Sequence, residues 1–97
     1  MEFEWDSNKA NINLRKHSVS FNEAQTIFND LFAYIFDDEW HSIGESRELI
    51  IGYSSSKRLL IVLFTEKISH TTRIISARQT TTQEQKAYEK HRFFRTN

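Results

Sequence analysis

A chain of 97 residues sets the scale of a single domain, residues 1–97, able to bury roughly two-thirds of its unfolded surface in one core. Thirteen basic residues balance thirteen acidic ones, which argues against a protein that grips nucleic acid by bulk charge, though not against a local basic site. With no cysteine, a disulfide scaffold and a thiolate metal site are both excluded. The start, Met-Glu-Phe-Glu-Trp-Asp, has neither a basic region nor an apolar run, so it does not read as a secretory signal. The longest apolar run, Leu59 to Phe64, is far too short to cross a bilayer. A soluble cytoplasmic protein with no membrane association is expected.

Glu2 to Trp5 reads as a short strand with Phe3 and Trp5 on one face. Asp6 is a natural N-cap for a helix over Ser7 to His17, weakly amphipathic and basic through Lys9, Arg15, Lys16 and His17. Its cations gather at the C-terminal end, where the helix dipole favours them. Ser20-Phe21-Asn22-Glu23 is a capping box that starts a second helix, with a core face of Ala24, Ile27, Phe28 and Leu31. Ala33 to Asp37 suits a strand, Asp37-Asp38-Glu39 an acidic loop, and Trp40 to Glu45 a loop or short edge strand.

Ser46 to Tyr53 alternates, with Arg47, Leu49, Ile51 and Tyr53 on one side. Ser54 to Lys57 is a turn. Arg58 to Thr65 is apolar on both faces, as in a covered central strand. Glu66 to Ser69 turns the chain again into Thr71 to Arg78, rich in Thr and Ile and so suited to a pleat. Strict alternation there sets Arg73, Ile75 and Ala77 on one face and Thr72, Ile74, Ser76 and Arg78 on the other. Connections this short make the three strands an antiparallel meander. Thr81-Thr82-Gln83-Glu84 is a further capping box, opening a basic C-terminal helix to about Arg95. The pattern predicts an α+β domain: two N-terminal helices packed on a twisted antiparallel sheet of about four strands, with a C-terminal helix.

The four histidines, His17, His41, His70 and His91, show no metal-binding spacing, and Gly44 and Gly52 are the only glycines, so no phosphate loop exists. No cofactor is expected. What remains is a set of cations, a histidine and a few acids, which suits RNA cleavage by transphosphorylation. That reaction needs a proton acceptor, a proton donor and positive charge on the phosphorane. His17 can carry the proton, and Glu45 can act as base or orient a cation. Arg47, Arg73 and Arg78 can hold the phosphate, and Tyr88 can stack a base or donate a proton. Lys9 and Lys16, on the same basic helix as His17, are RNA-binding candidates. Each has a structural alternative. Arg73 could pair with Glu45 or Glu48 while Arg78 stays solvated, His17 could cap its helix, Glu45 could pair with Arg47, and Tyr88 could simply pack.

The chain resembles the BrnT toxins of bacterial type II toxin–antitoxin systems. The likeness runs through Phe3-Glu4-Trp5-Asp6, Lys9, Asn13, Lys16-His17-Ser18-Val19-Ser20-Phe21 and Glu23-Ala24. It continues at Glu45-Ser46-Arg47, Ile51-Gly52, Arg73-Ile74-Ile75-Ser76-Ala77-Arg78, Glu84 and Tyr88, covering about residues 3 to 88. Ser18 departs from it, standing where the family usually has a glycine after Lys-His. The resemblance implies a RelE-like fold, a ribonuclease that inhibits translation, and neutralisation by a cognate BrnA-like DNA-binding antitoxin. Operator DNA would then be met only through that antitoxin. The competing class is a non-catalytic partner-binding module, acting only in antitoxin-mediated transcriptional autoregulation.

Overall fold

The computed structural model describes residues 1–37, 46–67 and 69–96, without side chains from residue 94 onward. The expected acidic loop at Asp38-Glu39 and the Trp40 to Glu45 segment lie outside the described residues. Five strands, β1 (Glu2–Glu4), β2 (Tyr34–Asp37), β3 (Glu48–Tyr53), β4 (Leu59–Glu66) and β5 (Thr71–Gln79), form one sheet in the order β1-β5-β4-β3-β2. From β2 to β5 every pairing is antiparallel, as short connections require. β1 corrects the expected wholly antiparallel sheet of about four strands. It lies parallel to β5, matching Glu2 with Thr71 and Glu4 with Arg73, so the sheet is mixed. Nothing local in a three-residue strand encodes a partner at the far end of the chain.

Helix α1 (Ser7–His17) begins where the Asp6 carboxylate accepts from the Asn8 and Lys9 amides at 2.8 and 3.1 Å. It ends at Ser18, held in the left-handed region at φ 57°, with its N–H donating to the Leu14 carbonyl at 2.9 Å. The family glycine would suit that conformation better than Ser18 does. Helix α2 (Phe21–Gln25) is capped by Ser20, whose hydroxyl accepts from the Glu23 amide at 3.0 Å. The capping box closes only on that side. The Glu23 carboxylate is taken instead by Arg58 and by the Ser54 hydroxyl, which hold it below its ordinary value despite desolvation.

After one turn the chain tightens into a 3-10 segment, Thr26–Asn29, which breaks the expected longer helix and leaves Leu31 82% exposed. That segment rides directly over Gly52, where an added Cβ would stand 3.1 Å from the Ile27 carbonyl oxygen.

The sheet is covered on both sides, which is why β4 reads as apolar throughout. On the inner face Val19, Phe21, Ala24 and Ile27 pack on Ile50, Leu60, Val62, Phe64, Ile74 and Ala77. Phe28 bridges Phe3 and Phe64, each ring centroid 5.1 Å from its own. On the outer face α3 (Thr82–Thr96) seats Tyr88 against Ile51, Leu59 and Ile61.

One interaction joins the helical layer to the sheet edge. β1 covers β5 only as far as Arg73, and beyond it α1 takes over. The Asn13 side chain, buried on α1, donates to the Ala77 carbonyl at 2.8 Å and accepts from the Ala77 N–H at 3.0 Å. Its second N–H reaches the Val19 carbonyl at 2.9 Å. The amide thus stands in for a neighbouring strand. Asn13→Ala should lower folding stability by about 2–3 kcal/mol, since it strands buried backbone groups. Urea unfolding checks this, and an unchanged midpoint would show the bracket to be dispensable.

Candidate active site

Strict alternation along β5 predicts Arg73 and Arg78 on opposite faces. The structure sets them on one. The register with β4 runs Leu63 to Ser76 and then Phe64 to Ile74, skipping Ile75, so β5 carries a one-residue bulge. Upstream of it Arg73 faces the same way as Thr65; downstream Ser76 shares a face with Leu63, and Arg78 with Ile61. All are on the outer face. Two rows cross the sheet there: Arg78, Ile61, Ile51 and Tyr34, then Ser76, Leu63, Leu49 and Phe36. Helix α3 roofs the first row through Tyr88. Arg47, half-buried two residues before Leu49, continues that face by alternation.

Both β5 arginines are held. Arg73 donates to the Glu4 carboxylate at 2.7 Å, and Glu4 is its partner residue on β1. The expected alternative partner, Glu48, points to the other face, where desolvation and the neighbouring Glu66 and Asp37 raise its carboxyl. Arg78 is not simply solvated, because its fork grips the two Glu84 carboxylate oxygens at 2.7 and 2.9 Å. Glu84 also closes the cap of α3, accepting from the Thr81 amide at 2.9 Å while its own amide donates to the Thr81 hydroxyl at 3.2 Å.

Against the bulge lies α1. Lys9, Ile12, Asn13 and Lys16 follow the spacing that lines one helix face, and with His17 they border a groove of about 180 Å³. Ile75 and Ser76 form its other wall. Three predicted residues, Lys9, Lys16 and His17, are therefore brought beside the strand that carries Arg73 and Arg78. Ser76 belongs both to the groove and to the arginine face.

Tyr88 is corrected. It is 1% exposed, its hydroxyl donates to Asp30 at 2.7 Å, and burial pushes the phenol far above its ordinary range. That ring packs the core and cannot stack an RNA base. Glu45 lies outside the described residues. Among the described residues no group of three histidines or carboxylates could hold a metal. Sequence reasoning missed Glu4 and Glu84 as the arginines' partners. The Glu84 capping box was the only available signal, since strand pairing alone brings Glu4 to Arg73.

Residues 5–84 match the family described as the ribonuclease toxin BrnT of type II toxin–antitoxin systems. The chain belongs to the BrnT family. Among solved structures, the Brucella abortus ribonuclease toxin BrnT is similar at 24% identity, with a TM-score of 0.66 over 84% of this chain and 99% of that one. At that identity the likeness establishes the shared fold. A comparison with curated proteins yields no match.

In this BrnT-family chain the Arg78–Glu84 pair should be visible in acid. Hydrogen bonds from Arg78, the largest influence, hold the Glu84 carboxyl below its ordinary value of 4.5 against the opposing effect of burial. A carboxyl depressed by folding stabilises the native state above the unfolded-state value and loses that contribution as pH falls through the folded one. Glu84→Gln should therefore flatten the fall in stability below about pH 4.5. Urea midpoints of both proteins across the acid range check this. Parallel acid profiles would show that the pair contributes nothing.

Proposed function

We infer that this chain is a ribonuclease toxin that cleaves RNA internally by transphosphorylation, thereby inhibiting translation and growth, on a RelE-like fold. The observation that carries this reading is the bulge of β5. By adding one residue it lets Arg73, Ser76 and Arg78 share a face alongside the groove of Lys9, Lys16 and His17.

The chemistry follows from what these groups can do. An RNA phosphate competes with Glu4 and Glu84 for the two guanidinium forks. Both arginines are partly exposed, their side chains 33% and 42% accessible, and such pairs are worth only about 0–1 kcal/mol. Exchange for a phosphate therefore costs little. The 2′-hydroxyl attacks phosphorus and loses its proton, the bond to the 5′-oxygen breaks, and that oxygen receives a proton. His17 is the side chain of the set whose ring nitrogens can take up and release that proton. Arg73 and Arg78, with Arg47 on the same face, stabilise the charge that gathers on the phosphorane. Lys9 and Lys16 hold flanking phosphates.

A cognate BrnA-like DNA-binding antitoxin neutralises the toxin by covering this cationic face or the adjoining sheet edge, and links it to operator DNA only indirectly. One observation favours the competing reading of a non-catalytic module in autoregulation: both arginines already have internal carboxylate partners. Cleavage assays decide between the two. Arg78→Ala should lower RNA cleavage on the order of 100-fold, with the fold intact by circular dichroism. Arg73→Ala should act likewise while also loosening β1, its partner through Glu4. Normal toxicity in a folded double variant would take both arginines out of the catalytic scheme, whereas a wild-type chain that neither cleaves RNA nor slows growth would leave only the module reading.

Because arginines and an imidazole supply both charge and proton transfer, no divalent metal is required. Cleavage should persist in excess EDTA and leave 2′,3′-cyclic phosphate ends. Loss on chelation, with recovery on adding magnesium alone, would exclude the scheme.

A further inference from the structure

We propose that the recess between β2 and the first turn of α3 is a nucleobase subsite, which stacks a base of the RNA whose phosphate is held at Arg78. It deepens the ribonuclease reading and rests on it for the RNA substrate. The recess is about 420 Å³, floored by Ile51 and walled by Tyr34 and Phe36 on one side and by Gln83 and Glu84 on the other.

Several observations converge on a flat aromatic ligand. Tyr34 and Phe36 lie on the same face of β2, two residues apart, with ring centroids 5.8 Å apart at 33°. Tyr34 stacks on His91 at 4.2 Å between centroids, which holds its ring in place. Phe36 is 37% exposed, so beyond its contact with Tyr34 it offers apolar ring surface to a ligand. Such ring pairs are the usual stacking platforms for unpaired bases. At the rim the exposed Gln83 amide offers a donor and an acceptor, the combination that reads a base edge.

Glu84 ties the recess to the phosphate site, lining the one while gripping Arg78 at 2.7 and 2.9 Å. Tyr34 and Arg78 stand in one row of the sheet, three strand spacings or about 14 Å apart between their Cα atoms. The long arginine side chain, turned toward Glu84, shortens that gap. A nucleotide can then set its phosphate on the guanidinium and its base between the two walls. An apolar protein side chain would use the aromatic walls but make no use of the adjoining guanidinium, which would keep its Glu84 partner. The pairing of an aromatic wall with a cation is the chemistry of a nucleotide.

The test uses Phe36→Ala and Gln83→Ala in the full chain, both at exposed positions outside the proposed catalytic set. Binding of a short mixed-sequence 2′-O-methyl oligonucleotide, which cannot be cleaved, is measured beside cleavage of a long RNA with its ends sequenced. Phe36→Ala should weaken oligonucleotide binding on the order of tenfold, and Gln83→Ala should change which bases flank the cut. Unchanged affinity and an unchanged cleavage pattern in folded variants would overturn the subsite. So would loss of antitoxin binding alone, which would give the recess to a protein partner. If the wild-type chain binds the oligonucleotide through Phe36 yet cuts no RNA, the ribonuclease reading fails and the base subsite stands. If it neither binds nor cuts, both fall.

Discussion

The Asn13 amide, clasped to both backbone groups of Ala77, is the contact on which the rest of the architecture depends. β5 is long and β1 is short, so most of one β5 edge has no strand beside it among the described residues. An open edge in a small domain invites pairing with another chain. Asn13 answers this with a side chain that copies a strand's donor and acceptor, and its third bond, to Val19, fixes the turn into α2. Because the amide points at the edge, the same helix face turns Lys9 and Lys16 toward β5. Stability and site geometry are here one contact.

The bulge does for β5 what Asn13 does for α1. Arg78 lies five positions after Arg73, an odd offset that ordinary pleating would split between the faces. One unpaired residue, Ile75, restores them to a common face without disturbing the buried Ile74 and Ala77. Bulges concentrate where a side chain must be re-aimed. Within a formal net charge of zero, two of the acids sit on these arginines, Glu4 on Arg73 and Glu84 on Arg78. Such partners hold long cationic side chains in a fixed direction, which reduces the ordering cost for any anion that exchanges with them.

A second latch sets the outer face. Asp30 accepts from the Tyr53 amide at 2.8 Å, the Tyr88 hydroxyl at 2.7 Å and the Phe32 amide at 2.9 Å. These hydrogen bonds offset desolvation and keep the carboxyl charged. Tyr88 is therefore pulled inward and α3 is seated over Ile51 and Ile61, so among the described residues it roofs one end of the outer face. The end beyond that roof holds Ser76 and Arg73, while Arg78 stands at the margin, within reach of the helix cap.

By itself the sequence determined the local structure. Its β-branched runs made strands of Leu59–Glu66 and Thr71–Gln79, its Asp6, Ser20 and Thr81 caps started three helices, and its short turns made the meander. The basic character of α1 and the likeness to BrnT toxins were also legible there, since both depend on residues close in the chain or fixed in type. Tertiary structure alone decided the parallel seat of β1, the partners of Arg73 and Arg78, the burial of Tyr88 and the exposure of Leu31. The reason is that each turns on pairing between distant segments. A single skipped residue in the β4–β5 register reverses the face of every side chain beyond it, and no local propensity records where that skip falls.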